Sequence, residues 1–346
     1  MGLSRVLARL ASRRLHVLVV EHPGAFLLRA RAERACTTRG WVLATSPADA
    51  DVLLECGASD DERLTTAVCR VWAQVPGPRS RGGLLEVDRV DTTLDALADA
   101  YRRWSAEDEP RPEPEQHHPD DMADMHDMGD MDGAHDMGAM EMDMSGPGGI
   151  ALASGFDDER DGLEMDVLHV PLGPVLSSWP AGLVVTCTLT GDVVSSVAVD
   201  VIPDDTNATP TPDGTAYRLD AAARLLDLAG AVTLAARARS ERDHVLDDKT
   251  PDLDDLRRRV GRSGALRWSL RRVGTVSGQQ ADGHGWPSAW VGDAHDRLLW
   301  LIEARTEPGS AATGLGTLAT ALPDLLGGSE IAAVRLTVAS LVGHPS

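Results

Sequence analysis

Residues 16–56 read HVLVVEHPGAFLLRARAERACTTRGWVLATSPADADVLLEC, and the order of apolar and polar positions within them decides the fold class. His16–Glu21 is a short apolar run, rich in valine and closed by His22-Pro23-Gly24, as expected of a strand buried on both faces. Ala25–Arg39 carries the longer period of a helix, and Trp41–Thr45 and Asp51–Glu55 repeat the strand pattern. Beyond them Arg63–Gln74 reads as a helix stopped by Pro76-Gly77-Pro78, Leu84–Val87 as a further strand, and Thr92–Trp104 as an amphipathic helix. Strands alternating with helices at this spacing predict a small, mostly parallel, flavodoxin-like α/β sheet with helices on its faces over residues 1–104. The first turn holds neither GxGxxG nor GxxxxGKS/T, so no nucleotide cradle is expected there. Upstream, Leu3, Val6, Leu7 and Leu10 recur at helical spacing among Arg5, Arg9, Arg13 and Arg14. That is a basic amphipathic helix, suited to packing on its own domain, to a partner subunit, or to peripheral contact with an anionic membrane.

Charge divides the 346-residue chain unevenly. Its formal net charge is −21, from 54 acidic and 33 basic residues, and the segment Ser105–Met144 alone holds 14 of the acids and a single base, Arg111. Residues 105–149 are of low complexity, with proline and acid first and GPGG last, and are expected to form a disordered acidic linker. Eight of the ten methionines fall within it, at Met122, Met125, Met128, Met131, Met137, Met140, Met142 and Met144, together with His117, His118, His126 and His135. Thioethers and imidazoles suit Cu(I), and imidazole with carboxylate suits Cu(II) or Ni(II), so these residues form a candidate copper or nickel ligand set. A solvated acidic spacer is the alternative reading of the same segment.

Residues 150–346 change character again. Val167–Leu176, Leu183–Leu189 and Val193–Ile202 alternate as strands, with Gly191-Asp192 as a hairpin turn. Asp220–Leu246 reads as one long Ala/Leu/Arg helix, followed by helices at Leu253–Val260, Asp293–Glu307 and Gly314–Leu326 and a helix or strand at Ile331–Leu341. The expectation is an α+β domain in which a small antiparallel sheet precedes a helical bundle. Asp252, Asp254 and Asp255 fall where carboxylates favour a helix N-terminus. His284 and His295 are isolated, in a turn and on a helix surface, and no GxSxG elbow presents a nucleophile.

Several function classes fall away on composition. No window reaches the roughly 20 apolar residues of a membrane span, and the N-terminal apolar run has no small-residue cleavage site, so a cytoplasmic protein without a transmembrane segment is expected. A protein this acidic is not built to neutralise nucleic-acid phosphates. Four widely spaced cysteines, Cys36, Cys56, Cys69 and Cys187, give neither a disulfide framework nor a zinc motif.

Two stretches carry a family resemblance. In residues 41–78, Ser46-Pro47, Ala50-Asp51, Leu53, Gly57, Arg70, Gln74, Pro76 and Pro78 stand where the 20-kDa iron–sulfur subunit of respiratory complex I and the small subunits of nickel–iron hydrogenases read SPxxADxLxxxG and RxxxQxPxP. The second half resembles the 49-kDa subunit of the same complex, a relative of hydrogenase large subunits. The matching elements are Val170-Pro171-Leu172-Gly173-Pro174, Gly182–Val194, Leu225–Leu246, Ser263–Thr275 and the GDAHDRLLWLIEARTE stretch at 292–307. The resemblance implies a fused, shortened pair of the two subunits.

It also implies what has been lost. The small-subunit family holds an iron–sulfur cluster with an adjacent cysteine pair, a Gly-Ser-Cys and a Cys-Pro, none of which occurs here, so no cluster is expected. Cys36, Cys56 and Cys69 are instead expected to be small buried residues. In the large-subunit loop HPxxHG the first histidine aligns with Trp179 and the second has no counterpart, leaving Trp179 and the nearby His169 as a degenerate quinone-loop position. The resemblance with its losses implies a non-catalytic accessory or structural component bound to other subunits of a redox or membrane-associated complex, or else a quinone oxidoreductase subunit served by a partner's cluster. The linker's methionines and histidines imply instead a copper- or nickel-binding protein.

Overall fold

The computed structural model describes residues 14–104, 154–157, 164–204, 214–303 and 314–343. The basic stretch 3–13 and the acidic segment 105–149 lie outside the described residues.

The first half is a parallel sheet of four strands, β1 (His16–Glu21), β2 (Val42–Leu43), β3 (Val52–Cys56) and β4 (Ser80–Leu84), in the order β2-β1-β3-β4. Helices α1 (Phe26–Thr38), α2 (Glu62–Gln74) and α3 (Val90–Arg103) connect and cover it. Alternation along β1 sends Val17 to the face packed by Leu28 and Cys36 of α1 and Leu94 and Leu97 of α3. Leu18 and Val20 go to the opposite face, with Leu64 and Val68 of α2. Covering both faces is what allows the centres of β1, Val17–Val20, and of β3, Val52–Leu54, to be continuously apolar. The second strand is shorter than its apolar stretch, and the fourth begins four residues earlier than expected, pairing Ser80 with Val52. The Asp61 side chain starts α2 by accepting from the Arg63 amide at 2.8 Å.

The second half opens with an antiparallel sheet, β5 (Ser154–Asp157), β6 (Glu164–Leu172), β7 (Leu183–Thr190) and β8 (Val193–Val201), in sequential order. The Gly191-Asp192 turn joins β7 and β8 as expected, with Thr190 paired to Val193. Helices α4 (Gly214–Leu228), α5 (Val232–Leu246), α6 (Leu253–Arg262), α7 (Gly264–Leu270), α8 (Gly278–His284), α9 (Ala294–Glu303), α10 (Leu315–Leu326) and α11 (Ile331–Leu341) follow. Leu183, Val185, Cys187 and Leu189 line the inner face of β7 and pack on Leu318 and Leu322 of α10 and Val334 and Val338 of α11. A separate core joins α4, α5, α6, α7 and α9 through Leu225, Ala238, Leu256, Leu270 and Leu298.

The single long helix expected over 220–246 is two. Gly230 adopts φ +75°, its amide bonds the Asp227 carbonyl at 2.9 Å, and the Ala231 amide reaches back to the Leu226 carbonyl at 2.8 Å. That pair of bonds is the glycine-terminated helix end, which reverses the chain so that α5 lies back along α4. The ambiguous terminal segment, Ile331–Leu341, is helical.

The two halves pack as one unit. Ile202, just past β8, enters the core between α2 and the sheet of the first half, with Val175 and Val184 beside it.

A candidate site in the cleft between the two halves

In an open parallel sheet the crevice for ligands lies beyond the carboxyl ends of the strands, where the strand order reverses, here between β1 and β3. The second half fills that crevice. A side chain on Gly24 would have its Cβ 2.4 Å from the Asp204 carboxylate, and one on Gly182 would lie 3.1 Å from Pro23. His22 follows β1 and is buried, its Nε2 3.5 Å from Glu55 Oε2, while Arg81 donates to Glu55 Oε1 at 2.8 Å.

The open space is beside the sheet. A cavity of about 410 Å³ is bounded by β1, β2 and Ala44-Thr45 from the first half and by the loop Pro174–Trp179 and helices α4 and α5 from the second. A second cavity of about 320 Å³ adjoins it at Glu33, Thr37 and Arg239 and continues between α1 and α5.

Charged side chains from both halves interlock at the floor of the larger cavity. Arg29 donates to Glu21 at 2.7 Å, to Glu33 at 2.5 Å and to Asp220 at 2.6 Å. Arg224 donates to Asp220 at 2.9 Å, to Glu21 at 2.5 Å and to the Trp179 carbonyl at 2.6 Å. Arg242 donates to Glu33 and Asp220, both at 2.7 Å, and to Asp243 at 2.9 Å. Three guanidinium groups thus meet Glu21, Glu33 and Asp220 with no side chain of the six more than 13% exposed, so the charges are desolvated and depend on one another. Burial opposes ionisation of Asp220, but Arg29, Arg224 and Arg242 outweigh it and hold the carboxyl well below its usual range. Glu33 is likewise buried and is drawn down to about 2 by Arg29, Arg242 and Arg239. Arg239 pairs with Asp227, and Arg31 and Arg34 clamp Asp247 at 2.6 and 2.7 Å.

Of the two residues at the degenerate loop position, Trp179 is at the cavity. It is buried, and its indole Nε1 donates to the Leu183 carbonyl at 2.8 Å. That bond and a close approach at Gly173, φ +84°, shape the loop. His169 is not at the cavity. It is exposed on β6, opposite Thr188 of β7, whose hydroxyl lies 3.1 Å from Nδ1. No histidine or cysteine is among the residues lining the larger cavity, and no cysteine lines the smaller one, where His244 stands with its Nδ1 3.1 Å from Glu241 Oε2. The twelve candidate metal ligands from His117 to Met144 lie outside the described residues.

Two of the three cysteines expected to be buried are so, Cys36 and Cys56, and Cys187 on β7 is buried as well; burial pushes the Cys36 thiol up to about 12 and raises the other two. Cys69 is exposed, contrary to expectation, because Leu64 and Val68 take the inward positions of α2.

His295 is also a correction: it is buried at the start of α9, not on a helix surface. With Asp293 and Asp296 it brings ligand-type atoms within 4.8 Å of one another, the one such group among the described residues that could hold a metal. Both carboxylates already serve the helix start. Asp293 accepts from the amides of Arg272, His295 and Asp296 at 2.9, 3.0 and 3.1 Å, and Asp296 accepts from the Asp293 amide at 3.2 Å. A helix N-terminus is the end that favours negative charge. Next to them the buried Arg297 donates to the carbonyls of Trp290 and Gly292 at 2.9 Å and of Gly274 at 2.8 Å. The stretch Gly292–Arg297 therefore works as a staple joining three loops. Asp252 caps α6 as its position suggested, accepting from the Asp255 amide at 3.3 Å.

The ion-pair floor was not visible in the sequence. Arg29/Glu33 and Asp220/Arg224 stand at helical i, i+4 spacing, a signal shared with many exposed helix faces. Arg29 and Asp220 are 191 positions apart. Comparison with known protein families, with characterised proteins and with solved structures found no match to the chain. Among the described residues no helix is long and apolar enough to cross a membrane.

Proposed function

We propose that the chain is a non-catalytic accessory or structural component, a one-chain counterpart of the paired small and large subunits of the quinone-reducing, hydrogenase-like module. The observation that carries the reading is the floor of the cleft, where groups able to bind or move protons are bound to one another across the two halves. Glu21, Glu33, Asp220 and Asp227 all face arginines, leaving apolar walls and the hydroxyls of Thr37, Thr45, Ser177 and Ser178. The thiols are packed in cores or, for Cys69, on an outer helix face. Such a chain holds two halves in fixed register and presents surface to partners. Affinity purification of the tagged protein from gently solubilised membranes of its native host tests this. Recovery in stoichiometric amounts with subunits of a redox complex is expected; recovery alone would refute it.

A second reading rests on a separate observation, the concentration of eight methionines and four histidines between His117 and Met144. Here the protein binds copper or nickel through that segment. Equilibrium dialysis against Cu(I) should show binding that deletion of 117–144 abolishes, and unchanged affinity in the deletion variant would refute it.

A further inference from the structure

Helix α7 turns Leu266 and Leu270 into the core and leaves Trp268 85% exposed, the most exposed large apolar side chain among the described residues. The indole of Trp268 has no hydrogen bond or ring partner among the described residues, in contrast to Trp179 and Trp290, which each donate to a carbonyl. Four exposed arginines lie close by in sequence: Arg262 at the end of α6, Arg267 on α7, and Arg271 and Arg272 in the turn that follows. None of their guanidinium groups has an acidic partner among the described residues. Elsewhere in this acidic chain arginines are mostly matched: Arg258 and Arg259 share Asp255, and Arg39 takes Asp91 and Asp95. Four unneutralised arginines flanking a bare indole within eleven residues of sequence, in a chain of net charge −21, call for an anionic partner with an apolar boundary.

We propose that the segment Arg262–Arg272, in which the exposed Trp268 is flanked in sequence by Arg262, Arg267, Arg271 and Arg272, docks peripherally on an anionic lipid surface. Guanidinium groups bind lipid phosphates through two parallel N–H donors. Tryptophan favours the headgroup boundary, where its ring is in apolar contact and its N–H remains hydrated. A nucleic-acid strand fits less well, because stacking of successive bases uses several aromatic side chains and this segment has one. A protein hot spot would seat the indole in a packed pocket. The inference does not depend on the accessory-subunit reading, nor on the basic stretch 3–14.

The test uses the full chain with vesicles of phosphatidylcholine alone or mixed with phosphatidylserine, read by co-sedimentation and by quenching of tryptophan fluorescence by brominated lipid. Binding to the mixed vesicles only, weakened by salt, is expected. Each guanidinium near the surface is worth about a fivefold change in partitioning. The triple variant Arg267→Gln, Arg271→Gln, Arg272→Gln should therefore lose on the order of a hundredfold. Trp268→Ala should remove the quenching and weaken binding. These side chains are exposed, so both variants should keep the wild-type melting temperature, which is measured alongside. Equal binding to both kinds of vesicle, or undiminished binding by the triple variant, would overturn the proposal. So would binding to a single-stranded oligonucleotide or to polyglutamate, probed in parallel, with no binding to vesicles.

Discussion

Asp220→Asn isolates the contribution of the charges that join the two halves. The carboxylate accepts from three guanidinium groups, Arg29 at 2.6 Å, Arg242 at 2.7 Å and Arg224 at 2.9 Å, and is 4% exposed. The amide keeps the shape but removes the negative charge and turns an NH2 group toward cationic donors, leaving Arg29 and Arg224 to Glu21 and Glu33 while Arg242 keeps Glu33 and Asp243. Breaking a buried pair by removing one partner costs about 3–5 kcal/mol, because the remaining charge is stranded without water. The unfolding free energy should fall by that amount, a large share of the roughly 5–15 kcal/mol typical of native proteins. Asp91→Asn is the control: its carboxylate is 79% exposed beside Arg39, and its loss should cost under about 1 kcal/mol. Urea unfolding followed by circular dichroism gives both values. Hydrogen exchange across α1 and α4 shows whether the interface itself opens. A cost for Asp220→Asn no larger than that of the control would refute the claim that the six charges are desolvated and mutually dependent.

Acid should unfold the protein by way of the same groups. The folded-state values of Glu33, about 2, and of Asp220 lie below their ordinary ones, so their stabilisation is complete above the ordinary carboxylate range and is lost as pH falls through the folded values. Stability measured from pH 6 downward should decline from about pH 5, less steeply in Asp220→Asn, and a flat profile to pH 3 would contradict the network. A thiol reagent should modify Cys69 alone in the native protein and Cys36, Cys56 and Cys187 only on unfolding; rapid reaction of a second thiol would show that a core is open. Gly173→Ala should cost more than about 1 kcal/mol, since the new Cβ would require φ +84° and would sit 2.3 Å from the Leu183 carbonyl oxygen and 2.5 Å from Trp179 Nε1. A melting temperature unchanged from wild type would show that the loop around Trp179 yields freely.

Local chemistry made much of the fold legible. The HVLVVE run, its Pro-Gly turn and the recurrence of strand and helix patterns are short-range signals, and the sheet they imply is present with helices on both faces. The Gly191-Asp192 hairpin and the acidic start of α6 were legible for the same reason. The signal failed where one residue settled the outcome between two similar patterns. Gly230 stands among alanines and leucines that would all continue a helix, and only its left-handed backbone turns α5 back on α4.

Sequence by itself determined the parallel sheet, the antiparallel sheet with its helices, the acidic Met/His/Asp segment, and the absence of the cysteine pattern that a cluster would need. Each follows from periodicity, composition or spacing within a few tens of residues. Tertiary structure alone decided that Glu21, Arg29 and Glu33 of one half would share their charges with Asp220, Arg224 and Arg242 of the other. It also decided that the cavity would open beside the sheet, and that Trp179, not His169, would line it. Whether an arginine is a solvated surface charge or half of a buried pair depends on what packs against it from about 200 positions away, and local pattern carries no record of that partner.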